Sequence, residues 1–186
     1  MSGLLFIRHA ETDMAGTFCG HSDPPVNTRG HEQIQELFKS LSAERFAGVY
    51  SSDLQRAVTT AEALAKRFSV PLATTPNLRE IDFGRWESLF WTDVEQRYPV
   101  HVQQWTEAYP HLPAPGGEDF DAFQARVLDE VQHLLALAGD RTFAVVTHAG
   151  VMRTILRSLC GLNERAAWQQ TASYCSFFKY MPEVSQ

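Results

Sequence analysis

The chain has 186 residues, of which 44% are hydrophobic and 20% are charged, and its formal net charge is -6. This length and apolar content predict one soluble globular domain and exclude a disordered or collagen-like chain. The acidic balance argues against a nucleic acid or an anionic membrane as a partner held by bulk charge. It does not exclude a small anionic substrate, because a local pocket can be positive on a negative protein.

The N-terminus and the cysteines predict a cytoplasmic protein. Met1-Ser2-Gly3, followed by the apolar run Leu4–Ile7, lacks the basic start and longer apolar stretch of a signal peptide. No apolar stretch is long enough to span a bilayer. The three cysteines are scattered and show no C-x-x-C spacing, which argues against a disulfide framework or a structural zinc site and favours a reducing compartment.

Short apolar runs alternate with amphipathic stretches along the chain. In chain order the pattern predicts strand Leu4–Ile7, helix Thr28–Leu41, strand Phe46–Ser51, helix Leu54–Phe68 with a capping box of Ser52 and Gln55, strand Val70–Thr74, helices Leu89–Arg97, Val100–Glu107 and Glu118–Ala138, strand Thr142–Thr147, helix Val151–Leu159 and strand Ala172–Tyr180. This alternation predicts an α/β fold, a three-layer sandwich whose mostly parallel central sheet is flanked by helices. We expect residues 1–186 to form a single domain.

The middle of the chain is rich in aromatic residues. Trp86, Trp91 and Trp105 all lie within residues 82–117, together with several prolines. We expect this segment to be an insertion that covers one edge of the sheet and packs around its own aromatic side chains. Such a cover would suit a substrate with an apolar or heterocyclic part.

Charged residues follow the predicted strands at the positions where ligands usually bind. Arg8 and His9 follow the first strand, His148 follows strand Thr142–Thr147, and Arg56 lies in the first turn of the helix after another strand. In open α/β sheets, ligands bind beyond the carboxyl ends of the strands. We therefore expect these four side chains to converge if their strands are neighbours.

Two arginines and two histidines together suit a phosphoryl group. Guanidiniums bind phosphate through paired N–H donors, and a neutral imidazole is a competent nucleophile near pH 7. Glu80 follows an extended segment and could protonate the leaving oxygen. The alternative is that Glu80 only pairs with Arg79 or Arg85.

Several motifs in a fixed order resemble the histidine phosphatase superfamily, which includes the cofactor-dependent phosphoglycerate mutases. They cover nearly the whole chain and comprise Arg8-His9-Ala10-Glu11-Thr12, Asn27-Thr28-Arg29-Gly30, Ser51-Ser52-Asp53-Leu54-Gln55-Arg56-Ala57, Glu80 with Asp82-Phe83-Gly84-Arg85-Trp86-Glu87, Gly116-Gly117-Glu118 and Val146-Thr147-His148-Ala149-Gly150. The resemblance implies a phosphoglycerate mutase-like fold.

The resemblance also implies roles for individual residues. It makes His9 the transiently phosphorylated nucleophile and Glu80 the proton donor, with neither a metal nor a cofactor. The phosphate pocket and the substrate-contacting positions would be formed by Arg8, Arg56, His148, Thr12, Ala149 and the loop Cys19-Gly20-His21. One departure from the family pattern is Ala10, which stands where the family usually has Gly, so the backbone there must accommodate a Cβ atom.

Within this family we expect a phosphomonoester hydrolase. The alternatives are a cofactor-dependent phosphoglycerate mutase and a catalytically silent phosphate-binding member. Mutases of this type are longer after the acidic residue, and no core member of the constellation is lost here, so both are disfavoured. The stretches Cys19–Pro25 and Phe83–Trp91 are similar to alpha-ribazole phosphatases of cobalamin nucleotide-loop assembly. A homodimer formed through an exposed strand would be compatible with the predicted fold.

Overall fold

The computed structural model describes residues 3–182, so Met1 and Ser2, on which the prediction about the N-terminus partly rests, lie outside the described residues. Five strands form one sheet in the order β3-β2-β4-β1-β5. They are β1 (Gly3–Arg8), β2 (Gly48–Ser52), β3 (Leu72–Thr75), β4 (Thr142–Thr147) and β5 (Phe177–Tyr180). All neighbouring pairs are parallel except β1 and β5, which are antiparallel.

Seven α-helices connect or flank these strands within the described part of the chain. They are α1 (Thr28–Ser40), α2 (Gln55–Phe68), α3 (Trp91–Arg97), α4 (Pro99–Ala108), α5 (Phe120–Ala138), α6 (Ala149–Ser158) and α7 (Glu164–Thr171). Two short 3-10 turns, Pro76–Leu78 and Gly84–Trp86, precede α3. None of the helices in this range is long and apolar enough to cross a membrane.

Alternating side chains of the sheet build two separate cores. Leu4 and Phe6 of β1 pack on the face covered by α5 and α6, whereas Leu5 and Ile7 pack on the face covered by α1 and α2. This period-2 alternation with apolar residues on both faces is what a strand buried between two helix layers requires. The predicted three-layer α/β sandwich with a mostly parallel sheet is therefore confirmed.

The segment 82–117 forms a small apolar cluster of its own. Trp86 is fully buried there among Val94, Val102 and Ala114. Gly84 has a positive φ of 51°, and a side chain on it would collide with the backbone of residues 115–117. Only glycine accommodates both constraints without strain, so the two ends of the segment can lie against each other.

The C-terminal part of the prediction was wrong in its boundaries. The predicted strand Ala172–Tyr180 is shorter, because residues 172–176 form turns in which Cys175 has a φ of 56° and only Phe177–Tyr180 pairs with β1. The helix α7 that precedes these turns was not predicted, because its eight residues bury only Ala167 and Thr171 and so carry little apolar periodicity.

The predicted capping box before α2 is also absent. Leu54 is the N-cap of this helix and its side chain caps nothing. Ser52 belongs to β2, where its hydroxyl accepts a hydrogen bond from the amide of Leu54 and contacts Nε2 of His148 at 2.9 Å. A residue expected to start a helix therefore contacts the candidate site instead.

Candidate active site

The carboxyl ends of β1, β2 and β4 meet at one edge of the sheet, because β4 lies between β1 and β2. His9 follows β1 and His148 follows β4, and their ring centroids are 5.0 Å apart. Arg56 reaches the same place from the first turn of α2, and its Nε donates to Nε2 of His9 at 3.3 Å. The tertiary structure thus brings the predicted strand-end residues together.

His9 is held with one ring nitrogen fixed and the other facing a cation. Nδ1 lies 2.7 Å from the carbonyl oxygen of Ala10. A carbonyl can only accept, so Nδ1 carries the proton of the neutral ring and the lone pair lies on Nε2. Ala10 itself is fully buried, does not have a positive φ, and donates its amide to Thr60, so the Cβ atom is accommodated.

Arg56 is fully buried, and its guanidinium is surrounded mainly by backbone carbonyls. Besides His9, it donates to the carbonyl oxygens of Cys19, Gly20 and Ser22. Its nearest carboxylate is that of Asp23, whose Oδ1 lies 4.0 Å from Nη1. Arg56 therefore holds the loop 19–22 beside the imidazole, a role that the sequence did not suggest.

Glu87 fixes this loop from the other side. Its carboxylate accepts hydrogen bonds from the amides of Gly20, His21 and Ser22, from the Ser22 hydroxyl at 2.6 Å and from the amide of Phe83. Burial alone would raise the pKa of Glu87, but these hydrogen bonds outweigh it and lower the pKa. Glu87 thus indirectly determines where Arg56 and His9 lie.

Arg8 is anchored at the C-terminal end of α7. Its Nη1 donates to the carbonyl oxygens of Thr171 and Ala172 at 2.9 and 2.7 Å, and its Cζ lies 4.0 Å from the centroid of the Tyr174 ring. Its Nε is buried without a hydrogen-bond partner among the described residues. The guanidinium is thus held on one side and keeps unused donors.

His148 is 1% exposed and lies behind His9. Its Nε2 contacts the Ser52 hydroxyl, and its Nδ1 is buried with no hydrogen-bond partner in the described part of the chain. Burial, followed by the charges of the two site arginines, lowers the pKa of both His9 and His148 well below the usual value. Both imidazoles are therefore neutral at pH 7.

Glu80 is held by the N-terminus of α6. Its Oε2 accepts from the amide of Gly150 at 2.8 Å, and its Oε1 accepts from the amide of Ile81. A side chain at position 150 would collide with this carboxylate. The alternative pairing with Arg79 is absent, because Arg79 forms a bidentate pair with Asp53 at 2.6 Å. Pairing with Arg85 is likewise not found.

Arg126 of α5 fixes the backbone that carries Glu80. It donates to the carbonyl oxygens of Asn77, Arg79 and Glu80, and it forms a bidentate pair with Glu118 at 2.6 and 2.8 Å. The sequence analysis did not single out Arg126, and nothing in the local sequence around it indicates this role. Only the long-range contact distinguishes it from a solvated surface charge.

A cavity of about 430 Å³ opens beside this constellation. Of the predicted site residues, those that line it are Arg8, His9, Thr12, Cys19, Glu80 and Ala149. Arg56 and His148 border His9 but are almost fully buried and are not among the residues that line the cavity. Gly20 and His21 do not line it either: Gly20 packs closely against the Ile81 backbone, and Nε2 of His21 contacts the carbonyl of Glu80.

The cavity also has an aromatic wall, and two arginines that the sequence analysis did not identify line it as well. Four of the aromatic side chains come from the segment 82–117, and two of these, Tyr109 and Trp105, contact each other with ring centroids 4.9 Å apart. The two arginines are Arg153 and Arg157 of α6. Among the described residues no group of three or more metal-ligating side chains lies close together.

We predict that Glu87→Gln lowers kcat/KM for para-nitrophenyl phosphate by about 10- to 100-fold, because an amide NH₂ cannot accept the loop hydrogen bonds and the loop shifts Arg56. Steady-state kinetics would measure this loss. Glu95→Gln is the matched control, since Glu95 is exposed on α3. Wild-type kinetics for Glu87→Gln would contradict the proposed effect on the site.

We also predict that stability falls as the pH is lowered below about 6.5. The unfolded chain takes up protons on His9 and His148 in that range while the folded chain does not, which costs up to about 1.4 kcal/mol per pH unit for each imidazole. Urea unfolding between pH 7.5 and 5.5 would measure the slope. His9→Gln should reduce it and His133→Gln, at an exposed position, should not; equal slopes in all three proteins would refute the prediction.

Comparison with known proteins identifies the family. A sequence profile described as histidine phosphatase superfamily (branch 1) matches residues 4–183. The chain is 32% identical over 167 residues to the adenosylcobalamin/alpha-ribazole phosphatase of Escherichia coli, covering 89% of this chain and 82% of the relative. It is 29% identical to phosphoserine phosphatase 1 of Hydrogenobacter thermophilus, covering 94% and 85%.

Solved structures agree with this relationship. The crystal structure of the alpha-ribazole phosphatase from Shigella flexneri superimposes with a TM-score of 0.84 at 29% identity, covering 95% of this chain and 88% of that one. The prediction of a phosphatase of this type is therefore confirmed. Motif order, fold and site geometry agree, and the chain belongs to the histidine phosphatase superfamily.

Proposed function

We propose that the protein hydrolyses a small phosphomonoester through a phosphohistidine intermediate on His9. The observation that carries this proposal is the tautomer of His9: Nδ1 donates to the Ala10 carbonyl, so the lone pair lies on Nε2, where it accepts only a long hydrogen bond of 3.3 Å from Nε of Arg56. A neutral imidazole with this tautomer is a competent nucleophile. The positive charges of Arg8 and of the buried Arg56 would offset the charge of the attacked group.

The proposed reaction has two steps. In the first, Nε2 of His9 attacks phosphorus, the bond from phosphorus to the leaving oxygen breaks, and Glu80 gives that oxygen a proton. In the second, water attacks the phosphoryl group, Glu80 accepts a proton from it, and orthophosphate leaves with His9 regenerated. Nδ1 of His148 and the free donors of Arg8 would hydrogen-bond the transferring oxygens.

For the substrate we propose a metabolite with an aromatic part, of which alpha-ribazole 5'-phosphate is the first candidate. The aromatic wall supports it, because rings from segment 82–117, which we propose acts as the cover, contact Phe18: the Phe18 centroid lies 5.1 Å from that of Phe83 and 6.0 Å from that of Trp91. The relatives named as alpha-ribazole phosphatases support the same choice. A phosphoglycerate mutase or a silent phosphate-binding protein remains the alternative outcome of the tests below.

We predict that acid quenching during turnover of ³²P-labelled substrate traps labelled wild-type protein. His9→Ala should trap no label and turn over no substrate. Excess chelator should leave the turnover of the wild type unchanged. His133→Ala is the control because His133 is exposed on α5. Absence of wild-type turnover at every pH from about 4 to 9 would favour the silent protein. Loss of activity in chelator would contradict a mechanism that uses arginines in place of a metal.

We further predict that kcat/KM for alpha-ribazole 5'-phosphate exceeds that for phosphoserine, 3-phosphoglycerate and nucleoside monophosphates by more than about tenfold, or 1.4 kcal/mol. The physical reason is that the aromatic part of alpha-ribazole 5'-phosphate would contact the aromatic wall of the cavity. Parallel kinetics on one enzyme preparation would measure it. Rates within tenfold of each other would overturn a dedicated specificity, and isomerisation of 3-phosphoglycerate faster than its hydrolysis would identify a mutase.

A further inference from the structure

Arg153 lies on α6 one turn after Ala149 and lines the same cavity as His9. Its guanidinium carbon lies 3.5 Å from the centroid of the Trp168 ring, and its Nε donates to Oγ1 of Thr171 at 3.2 Å. Nη1 and Nη2 make no hydrogen bond within residues 3–182. The guanidinium is therefore fixed by a ring face and one hydrogen bond while its two terminal nitrogens stay available.

Thr171 also fixes where this guanidinium lies relative to the phosphate pocket. Its hydroxyl accepts from Arg153, and its carbonyl oxygen accepts from Nη1 of Arg8 at 2.9 Å. The two acceptor atoms belong to one residue at the end of α7, so the two guanidiniums lie side by side. A ligand whose phosphoryl group contacts Arg8 would therefore place its leaving group within reach of Arg153.

The charge of Arg153 is not matched by a carboxylate among the described residues. The neighbouring Arg157 is paired with Oε2 of Glu164 at 2.8 Å, and Oε1 of Glu164 accepts from Nε1 of Trp168 at 2.6 Å. Both carboxylate oxygens of Glu164 therefore already have partners, and one of these contacts holds the Trp168 ring in place. Burial lowers the pKa of Arg153, while the charges of Glu80, Tyr109 and Glu164 oppose that shift.

We propose that Arg153 is the second anchor of the substrate and binds a pair of oxygen acceptors on the leaving group. This inference rests on the proposed phosphatase function. The fork of a guanidinium matches two oxygens at carboxylate spacing, and the unpaired charge strengthens such hydrogen bonds. Arg153 would then select among phosphomonoesters by their leaving group, whereas Arg8 binds the phosphoryl group that all of them share.

Two sources can supply this oxygen pair: a carboxylate, as in a phosphorylated sugar acid, or the cis-diol of a ribose 5-phosphate. Two matched substrate pairs separate them. 3-phosphoglycerate and glycerol 3-phosphate differ in the carboxylate, and ribose 5-phosphate and 2-deoxyribose 5-phosphate differ in the cis-diol. The substrate pair whose two members differ in their sensitivity to the loss of Arg153 shows whether the oxygens come from a carboxylate or from a cis-diol.

The test measures kcat/KM of the wild type and of Arg153→Gln on all four substrates. In at least one substrate pair, we expect Arg153→Gln to lower kcat/KM by about 30-fold for the substrate that has the carboxylate or the cis-diol, as for the loss of a charge-assisted bidentate contact. For the matched substrate that lacks this group, we expect kcat/KM to fall by no more than about threefold. Arg165→Gln, which removes an exposed arginine of α7, should change none of the four values. Turnover of the matched partner reports that the variant is folded.

Arg153→Lys is the second variant, should the glutamine variant not fold. It keeps the charge but loses the fork, so we expect it to lose about tenfold on the same member and little on its partner. Equal losses on both members of each pair, or no loss on any, would overturn the assignment. If the wild type turns over none of the four substrates or para-nitrophenyl phosphate, the proposed phosphatase function fails instead.

Discussion

The fully buried guanidinium of Arg56 is the interaction on which the candidate site depends. A cation in this position loses its hydration, and its nearest carboxylate oxygen is 4.0 Å away, so the carbonyls of the loop 19–22 replace water as its acceptors. Those carbonyls stay in place because Glu87 binds the amides of the same loop. The same charge helps to keep both imidazoles neutral.

The carboxylate of Glu80 is held by elements other than those that bind Arg56. Glu80 is bound at the N-terminus of α6, where the helix dipole favours a carboxylate, and its backbone is held by Arg126 of α5. Thr147 adds a hydrogen bond from β4 to the carbonyl of Leu78 at 2.8 Å. His9 and the carboxylate of Glu80 therefore depend on different elements and meet only because α6 follows the strand next to β1.

The cavity beside His9 combines charged and aromatic side chains. Backbone-anchored Arg8 lies beside the neutral His9, and the aromatic wall and Arg153 line the same cavity. An overall acidic chain can thus have a locally positive cavity. The net charge of -6 describes the whole surface, while Arg8 and Arg153 lie side by side in the cavity without an ion pair among the described residues.

The sequence by itself determined the strands, most helices and which charged residues follow the strands, because apolar periodicity marks buried strands. It predicted that Arg8, His9, Arg56 and His148 converge only if their strands are neighbours, and the strand order of the folded sheet decided that point. The sequence could not determine the roles of Glu87, Arg126 and Arg153. Arg126 and Arg153 are polar residues whose local pattern is that of a solvated surface, and the motif that contains Glu87 does not show which groups it binds. The partners of these side chains lie elsewhere along the chain. Tertiary packing alone decided which distant carbonyls, amides and rings they meet, so the positioning and selectivity of the site became visible only in the folded structure.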